Sequence, residues 1–201
     1  MLIILKERKS EVKRKTLETD IEVKINLDGE GKSHLETEIH FLKHMLDLFA
    51  RHGFFDLEIK AKGDIEVDDH HTVEDIGICL GTAIKKALQD KKGITRYGFI
   101  ILPMDESLIQ VALDLSGRGQ LIYKVKFEQD KVGSFEVNLI EEFFKAFSYH
   151  AGITLHINLL YGKNAHHIIE AIFKAFGRAL DIACTKESRT SDIPSTKGMF
   201  D

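Results

Sequence analysis

The chain has 201 residues, 43% of them hydrophobic and 30% charged, with 28 basic against 32 acidic side chains and a formal net charge of -4. This composition excludes an intrinsically disordered chain. It also argues against a general binder of nucleic acid or of anionic membrane, since both call for a basic surface. Two cysteines in no paired motif, Cys79 and Cys184, point away from a disulfide framework and toward a reducing cytoplasm, and no apolar run approaches the roughly 20 residues of a membrane helix.

In chain order, Met1–Leu5 is apolar but is followed rather than preceded by charge, so it reads as the start of a strand and not as a signal segment. Residues 11–16 and 21–27 alternate as strands around the turn signal Asp28-Gly29-Glu30-Gly31, and 33–38 continues in extended form. Phe41, Leu42, Met45, Leu48 and Phe49 then repeat at helical spacing over 39–52, with Gly53 as the stop. A strand at Phe55, Leu57 and Ile59 leads through a polar loop to a second helix over 70–88, closed near Gly93. Three strands (98–102, 108–115, 121–127), a helix (139–150), a strand (154–160) and a helix (166–183) follow, and the tail from Thr185 is polar and lacks a period.

The order strands, helix, strand, helix occurs twice. Residues 42–59 align with 140–157 at an offset of 98, and His70-His71-Thr72-Val73-Glu74 aligns with His166-His167-Ile168-Ile169-Glu170 at an offset of 96. The expected fold is therefore α+β, an internal duplication of a β-rich unit with two helices packed on sheets. The halves cover about 1–93 and 94–185, followed by a tail over 186–201.

The repeated His-His-x-x-Glu motif carries the chemistry. Residues three or four apart share a helix face, whereas neighbours diverge by about 100°. His71 with Glu74, and His167 with Glu170, can thus grip one ion each, leaving His70 and His166 for a second ion or a neighbouring subunit. Imidazole with carboxylate suits Mn, Fe, Zn or Ni. Asp68, Asp69 and Asp75 are the candidates to orient the first imidazole pair. His44 on the preceding helix, and Glu142 opposite it at the offset of 98, supply a further ligand position in each half; Glu141 and His156 are rivals. The run Gly29 to Ser33 fails the spacing of a phosphate loop. Arg96, Arg118, Lys174 and the tail residues Ser195, Thr196 and Lys197 are the phosphate candidates.

Arg14 to Thr19, Leu27 to Gly31, His44-Met45-Leu46, Asp68 to Asp75, Pro103 to Glu106, Leu113 to Arg118, His166 to Ala171 and Pro194 to Gly198 together resemble the imidazoleglycerol-phosphate dehydratase family, from about Glu11 to Met199. The resemblance implies a cytoplasmic hydro-lyase of histidine biosynthesis with a ribosomal-S5-domain-2-like fold, two Mn2+ per active site, and an octahedral 24-mer with active sites between subunits. It implies His44, His70, His71, Glu74, Glu142, His166, His167 and Glu170 as metal ligands; many family members have histidine where Glu142 stands. It implies Glu18, His52, Arg96, Arg118, Lys174, Ser195, Thr196 and Lys197 as substrate contacts. Lys43, His40 and the stretch before Ile193-Pro194 depart from the family pattern without removing a ligand.

The implied reaction converts imidazole glycerol phosphate to imidazole acetol phosphate. The proton removed is not beside a carbonyl, so the expected route runs through a di-manganese-bound imidazolate and a diazafulvene-like intermediate. Glu18 is the first choice for moving the proton and Asp105 the second. On the motif alone, two other classes compete: a dinuclear hydrolase of a small phosphate ester, and a metal-storing shell protein.

Overall fold

The computed structural model describes residues 8–198. The strand expected at Met1–Leu5 lies outside the described residues, as does the end of the tail. The elements are β1 (Lys9–Lys15), β2 (Thr19–Asn26), β3 (Ser33–Glu36), α1 (His40–Gly53), β4 (Asp56–Gly63), α2 (His70–Leu88), β5 (Tyr97–Met104), β6 (Ser107–Asp114), β7 (Gln120–Lys124), β8 (Lys131–Val132), β9 (Phe135–Glu136), α3 (Leu139–Ala151), β10 (Thr154–Tyr161) and α4 (Ala165–Cys184).

The duplication is visible in the ladders. One sheet has the order β1-β2-β4-β3 and the other β5-β6-β10-β7, each with a parallel last pair. Lys9 pairs with Asn26 in the first hairpin and Tyr97 with Asp114 in the second, so both strands shift by 88. Asn26 pairs with Asp56 and Asp114 with Thr154, which shifts the next strand by 98. The extra ten residues accompany the β8–β9 hairpin, an element too short to leave a period in the sequence. Alternate residues of β2 and β6 are buried, as expected of strands with one covered face.

The helices of the two halves meet between the sheets, α1 against α4 and α2 against α3. Both pairs cross at a glycine that permits backbone contact. A Cβ on Gly177 would come within 2.6 Å of the Phe49 carbonyl, and one on Gly81 within 2.5 Å of the Phe147 carbonyl. These four positions are repeat equivalents. Phe144, Phe147, Phe173 and Phe176 fill the space between the helices, with Phe147 and Phe176 edge-on at 5.0 Å and Phe49 stacked on Phe176 at 5.2 Å.

Some ends differ from expectation. Gly53 does not stop α1; it is the last helical residue, and Phe54 takes the left-handed conformation (φ 57°). Gly53 is instead required by packing, because a Cβ there would meet the Phe55 ring at 2.4 Å. Helix α2 closes at Gln89, which donates its N–H to Lys86, rather than at Gly93. The tail is tied down: Gly93 N donates to Asp192 O and Glu187 N to Gly93 O, both at 2.9 Å.

Gly177→Ala forces the α1–α4 crossing apart. The substitution is expected to cost about 1–3 kcal/mol, the usual range for overpacking, measured as a shift in denaturation midpoint. An exposed change such as Lys145→Ala serves as the control.

Candidate metal centre

The α1–α4 crossing brings His44, His166 and Glu170 together, with one ligand atom of each lying within 4.8 Å of the others. Glu170 Oε1 is 2.8 Å from His44 Nε2 and 3.5 Å from His166 Nε2. Its other oxygen accepts from Lys174 Nζ at 2.8 Å. The Glu170 side chain is only 9% exposed. Burial pushes this carboxyl upward, but the Lys174 and His44 hydrogen bonds outweigh it and hold the group down at about 2. A buried carboxylate kept anionic beside two imidazoles is the donor set of a hard-to-borderline divalent cation, so the residues fit a bound metal.

The pairing inside the motif is the reverse of the expected one. His166, not His167, faces Glu170, because i and i+4 lie one above the other on the helix while i and i+3 are offset. His167 points across to the β5–β6 turn, where its Nδ1 is 2.6 Å from Glu106 Oε2 and its Nε2 3.7 Å from Asp105. Asp105 itself sits at positive φ (48°) in that turn. In the first half, His71 Nδ1 is 3.1 Å from Asp64 Oδ2 and 4.0 Å from Glu18 Oε2. The hydrogen bond His71 donates to Asp64 raises the His71 pKa, and that which His167 donates to Glu106 raises the His167 pKa.

The carboxylates expected to orient these imidazoles do other work. Asp75 accepts from Arg14 and Thr19, fastening the β1–β2 hairpin to α2. Asp68 accepts from the His70 backbone N–H at 2.8 Å. Asp64 carries no sequence signal, since it lies just after β4 outside any motif, and Glu106 stands in the resemblance only as the end of Pro103 to Glu106, with no role to read, because it sits in a turn 61 residues from its histidine.

The equivalent positions in α2 and α3, namely His70, Glu74 and Glu142, do not form a second tight group among the described residues. Glu142 lies 3.5 Å from Lys145, and the His70 and His71 rings are 6.2 Å apart and nearly perpendicular. Asp68, His70, Glu136 and Asn138 line a cleft of about 430 Å³ at this end, while Glu106, Gln129, Asn164 and His166 line one of about 470 Å³ at the other.

The basic candidates divide. Lys174 adjoins Glu170, and His52 on α1 is driven downward in pKa by burial and then by Lys174 and Arg178. Arg96 is bound bidentately to Asp114, at 2.7 and 3.0 Å, and donates to the Pro194 carbonyl at 2.6 Å. It thereby carries the tail turn containing Ser195, Thr196 and Lys197, in which Gly198 N donates to Ser195 O. The Arg118 backbone N–H is held by Ser116. His156 is an exposed residue of β10 and stands apart from the ligand group.

Comparison with known proteins gives the family and the fold. The family model for imidazoleglycerol-phosphate dehydratase matches residues 37–180. The chain is 60% identical over 194 residues to the imidazoleglycerol-phosphate dehydratase of Acetivibrio thermocellus, covering 96% of this chain and all of that one. It is 58% identical over 193 residues to that of Caldanaerobacter subterraneus subsp. tengcongensis, with 96% and 100% covered. The crystal structure of the Staphylococcus aureus enzyme superposes with a TM-score of 0.81 at 44% identity, covering 89% and 99% of the two chains. The Pyrococcus furiosus enzyme gives 0.79 at 39%, covering 94% and 100%.

A duplicated α+β chain with imidazoles and carboxylates converging at a helix crossing is thus an enzyme, a hydro-lyase from a group of metalloenzymes. The chain belongs to the imidazoleglycerol-phosphate dehydratase family, whose reaction is the dehydration step of histidine biosynthesis. No helix among the described residues is long and apolar enough to cross a membrane.

Arg96→Ala removes the side-chain tie on the Pro194 carbonyl, one of the anchors of the tail. The expected result is faster limited proteolysis within 186–198, resolved by mass spectrometry of the fragments, while cleavage elsewhere stays slow.

Proposed function

We propose that this chain dehydrates D-erythro-imidazole glycerol phosphate to imidazole acetol phosphate in the cytoplasm, at a site that takes two Mn2+ ions. The observation that carries the reading is the His44–His166–Glu170 group with Lys174 on its outer oxygen. The remaining ligands in this reading are His70, His71, Glu74, Glu142 and His167. Among the described residues a single chain gathers one tight triad, which supports sites completed between copies, and the assembly is read as an octahedral 24-mer. The whole chain acts as one dehydratase domain of two similar halves, and 186–201 serves as a substrate-binding segment.

Two bound divalent ions would raise the acidity of the substrate's imidazole N–H, so that ring electrons can expel the adjacent hydroxyl as water. The residues of the chain then have separable tasks. Glu18 is exposed on the β1–β2 turn and takes the proton from the carbon next to the departing hydroxyl; the resulting enol tautomerises to the ketone. Asp105, on the matching turn of the second half, is the alternative base. Lys174, Arg96, Arg118, Lys197 and the hydroxyls of Ser195 and Thr196 hold the phosphate, with His52 nearby, so that binding energy remote from the reaction aligns the reacting carbons.

Metal-stripped protein is expected to form the ketone only when Mn2+ is returned, without release of inorganic phosphate. Phosphate release would identify a hydrolase instead, and metal uptake without turnover a storage protein. Glu18→Gln should lower kcat by about 10²–10⁴-fold, the usual contribution of a positioned proton-transfer group. Full turnover by that variant would remove Glu18 from the role.

A further inference from the structure

The duplication gives each half the same hairpin, yet the two hairpin turns treat their neighbouring imidazoles differently. The 88-residue shift of the hairpin ladders makes Glu106 the equivalent of Glu18. Glu106 holds His167 Nδ1 at 2.6 Å, whereas Glu18 stands 4.0 Å from the same nitrogen of His71. The difference is made by a third residue. His71 Nδ1 is already taken by Asp64, at 3.1 Å, from the segment just after β4. Asp64 is also fixed to the Glu18 backbone, since its N–H donates to Glu18 O at 3.1 Å.

The second half offers no carboxylate in that place. At the 98-residue shift, the equivalent of Asp64 is Gly162, where an added Cβ would lie 2.4 Å from Ser107 Oγ. A bulge between Leu159 and Tyr161 moves the register by one residue and brings Lys163 alongside instead. The backbone N–H groups of Lys163 and Asn164 donate to Glu106 Oε1, at 3.4 and 2.9 Å. Glu106 is thus fixed on both oxygens, one by the bulged backbone and one by His167.

We infer that Asp64 and Glu106 are the positioning residues of His71 and His167, and that Asp64, by taking over the imidazole which its half's turn would otherwise hold, is what leaves Glu18 free to act on substrate. The chemistry is that of an acceptor-only group fixing a tautomer. A carboxylate accepts the Nδ1–H, so the lone pair stays on Nε2, the nitrogen available to a metal. Residues that orient metal-binding imidazoles in this way typically contribute 10–100-fold in metal affinity. The inference rests on the reading of His71 and His167 as metal ligands.

The test is titration of metal-free full-length protein with Mn2+ alone, the free ion being counted by electron paramagnetic resonance. Asp64→Ala and Glu106→Ala should each weaken binding by about 10–100-fold. Asp64→Asn and Glu106→Gln, which keep an oxygen acceptor for Nδ1–H, should recover most of that loss. This rescue keeps the test valid even where an alanine variant lowers the melting temperature of the apoprotein. Glu18→Gln should bind Mn2+ as wild type does while losing kcat. In Asp64→Ala at saturating Mn2+, Glu18 is drawn to the vacated nitrogen, so kcat falls with little change in KM.

The assignment is overturned if the alanine variants bind Mn2+ like wild type while His71→Ala and His167→Ala do not, or if Glu18→Gln weakens binding as much as Asp64→Ala. If His71→Ala and His167→Ala also bind like wild type, the reading of those histidines as ligands fails first, and the positioning role falls with it.

Discussion

The site depends on how closely two helices can approach. Helices α1 and α4 touch backbone to backbone at Phe49 and Gly177, and only at that separation does His44 on one reach the Glu170 carboxylate on the other. A side chain at Gly177 would act as a spacer, and the ligand atoms would part before the core came undone. The stack of Phe49 on Phe176, the residue before Gly177, holds the same contact in place. Packing density and ligand geometry are therefore one constraint here, since interiors without voids transmit small displacements.

Charge is arranged on that scaffold with the same economy. Glu170 is nearly buried and would prefer to be neutral, but Lys174 one turn along and His44 across the crossing keep it ionised. A cation arriving at Glu170 meets a carboxylate already stripped of most of its water. Lys174 is also the basic residue closest to that oxygen, so an anionic substrate group and a metal would share one salt-bridged neighbourhood. The tail turn belongs to the same design: Arg96 turns its Nε–Nη2 edge to Asp114 and donates from Nη1 to the Pro194 carbonyl. Its first task in the free protein is holding the segment that carries Ser195 and Lys197.

Much of this was legible in the residues. The 3.6-residue apolar period marked all four helices, and α2 begins and ends at the residues the pattern indicated. The repeated His-His-x-x-Glu motif and His44 named the residues, but each half reads as keeping its own ligands, whereas His44 of the first half meets His166 and Glu170 of the second because α1 packs on α4. What escaped was what depends on side-chain direction or on contacts far apart in the chain. Residues three and four apart both share a helix face, so the motif offers either histidine to Glu170, and it is the closer i+4 alignment that gives His166. The roles of Asp64 and Glu106 left no signal, although Glu106 closes the family-like stretch Pro103 to Glu106, because their partners are set by strand register and a bulge. The β8–β9 hairpin has two residues per strand, too few for alternation to be read. Gly53 reads as a stop because glycine commonly ends helices, whereas its place is dictated by the Phe55 ring.

The interleaving of the helices has a consequence for how such a chain comes to exist. Each half presents its helix pair not to itself but to the other half, α1 to α4 and α3 to α2, and the contacts repeat with the sequence. Two copies of one ancestral half would meet by the same surfaces in the same way, as a self-complementary pair about a two-fold axis. In packing terms the present chain is such a dimer joined end to end. Joining frees the two copies from having to be identical, and the ten-residue hairpin and the unequal turns at Glu18 and Glu106 are differences that a true homodimer could not hold.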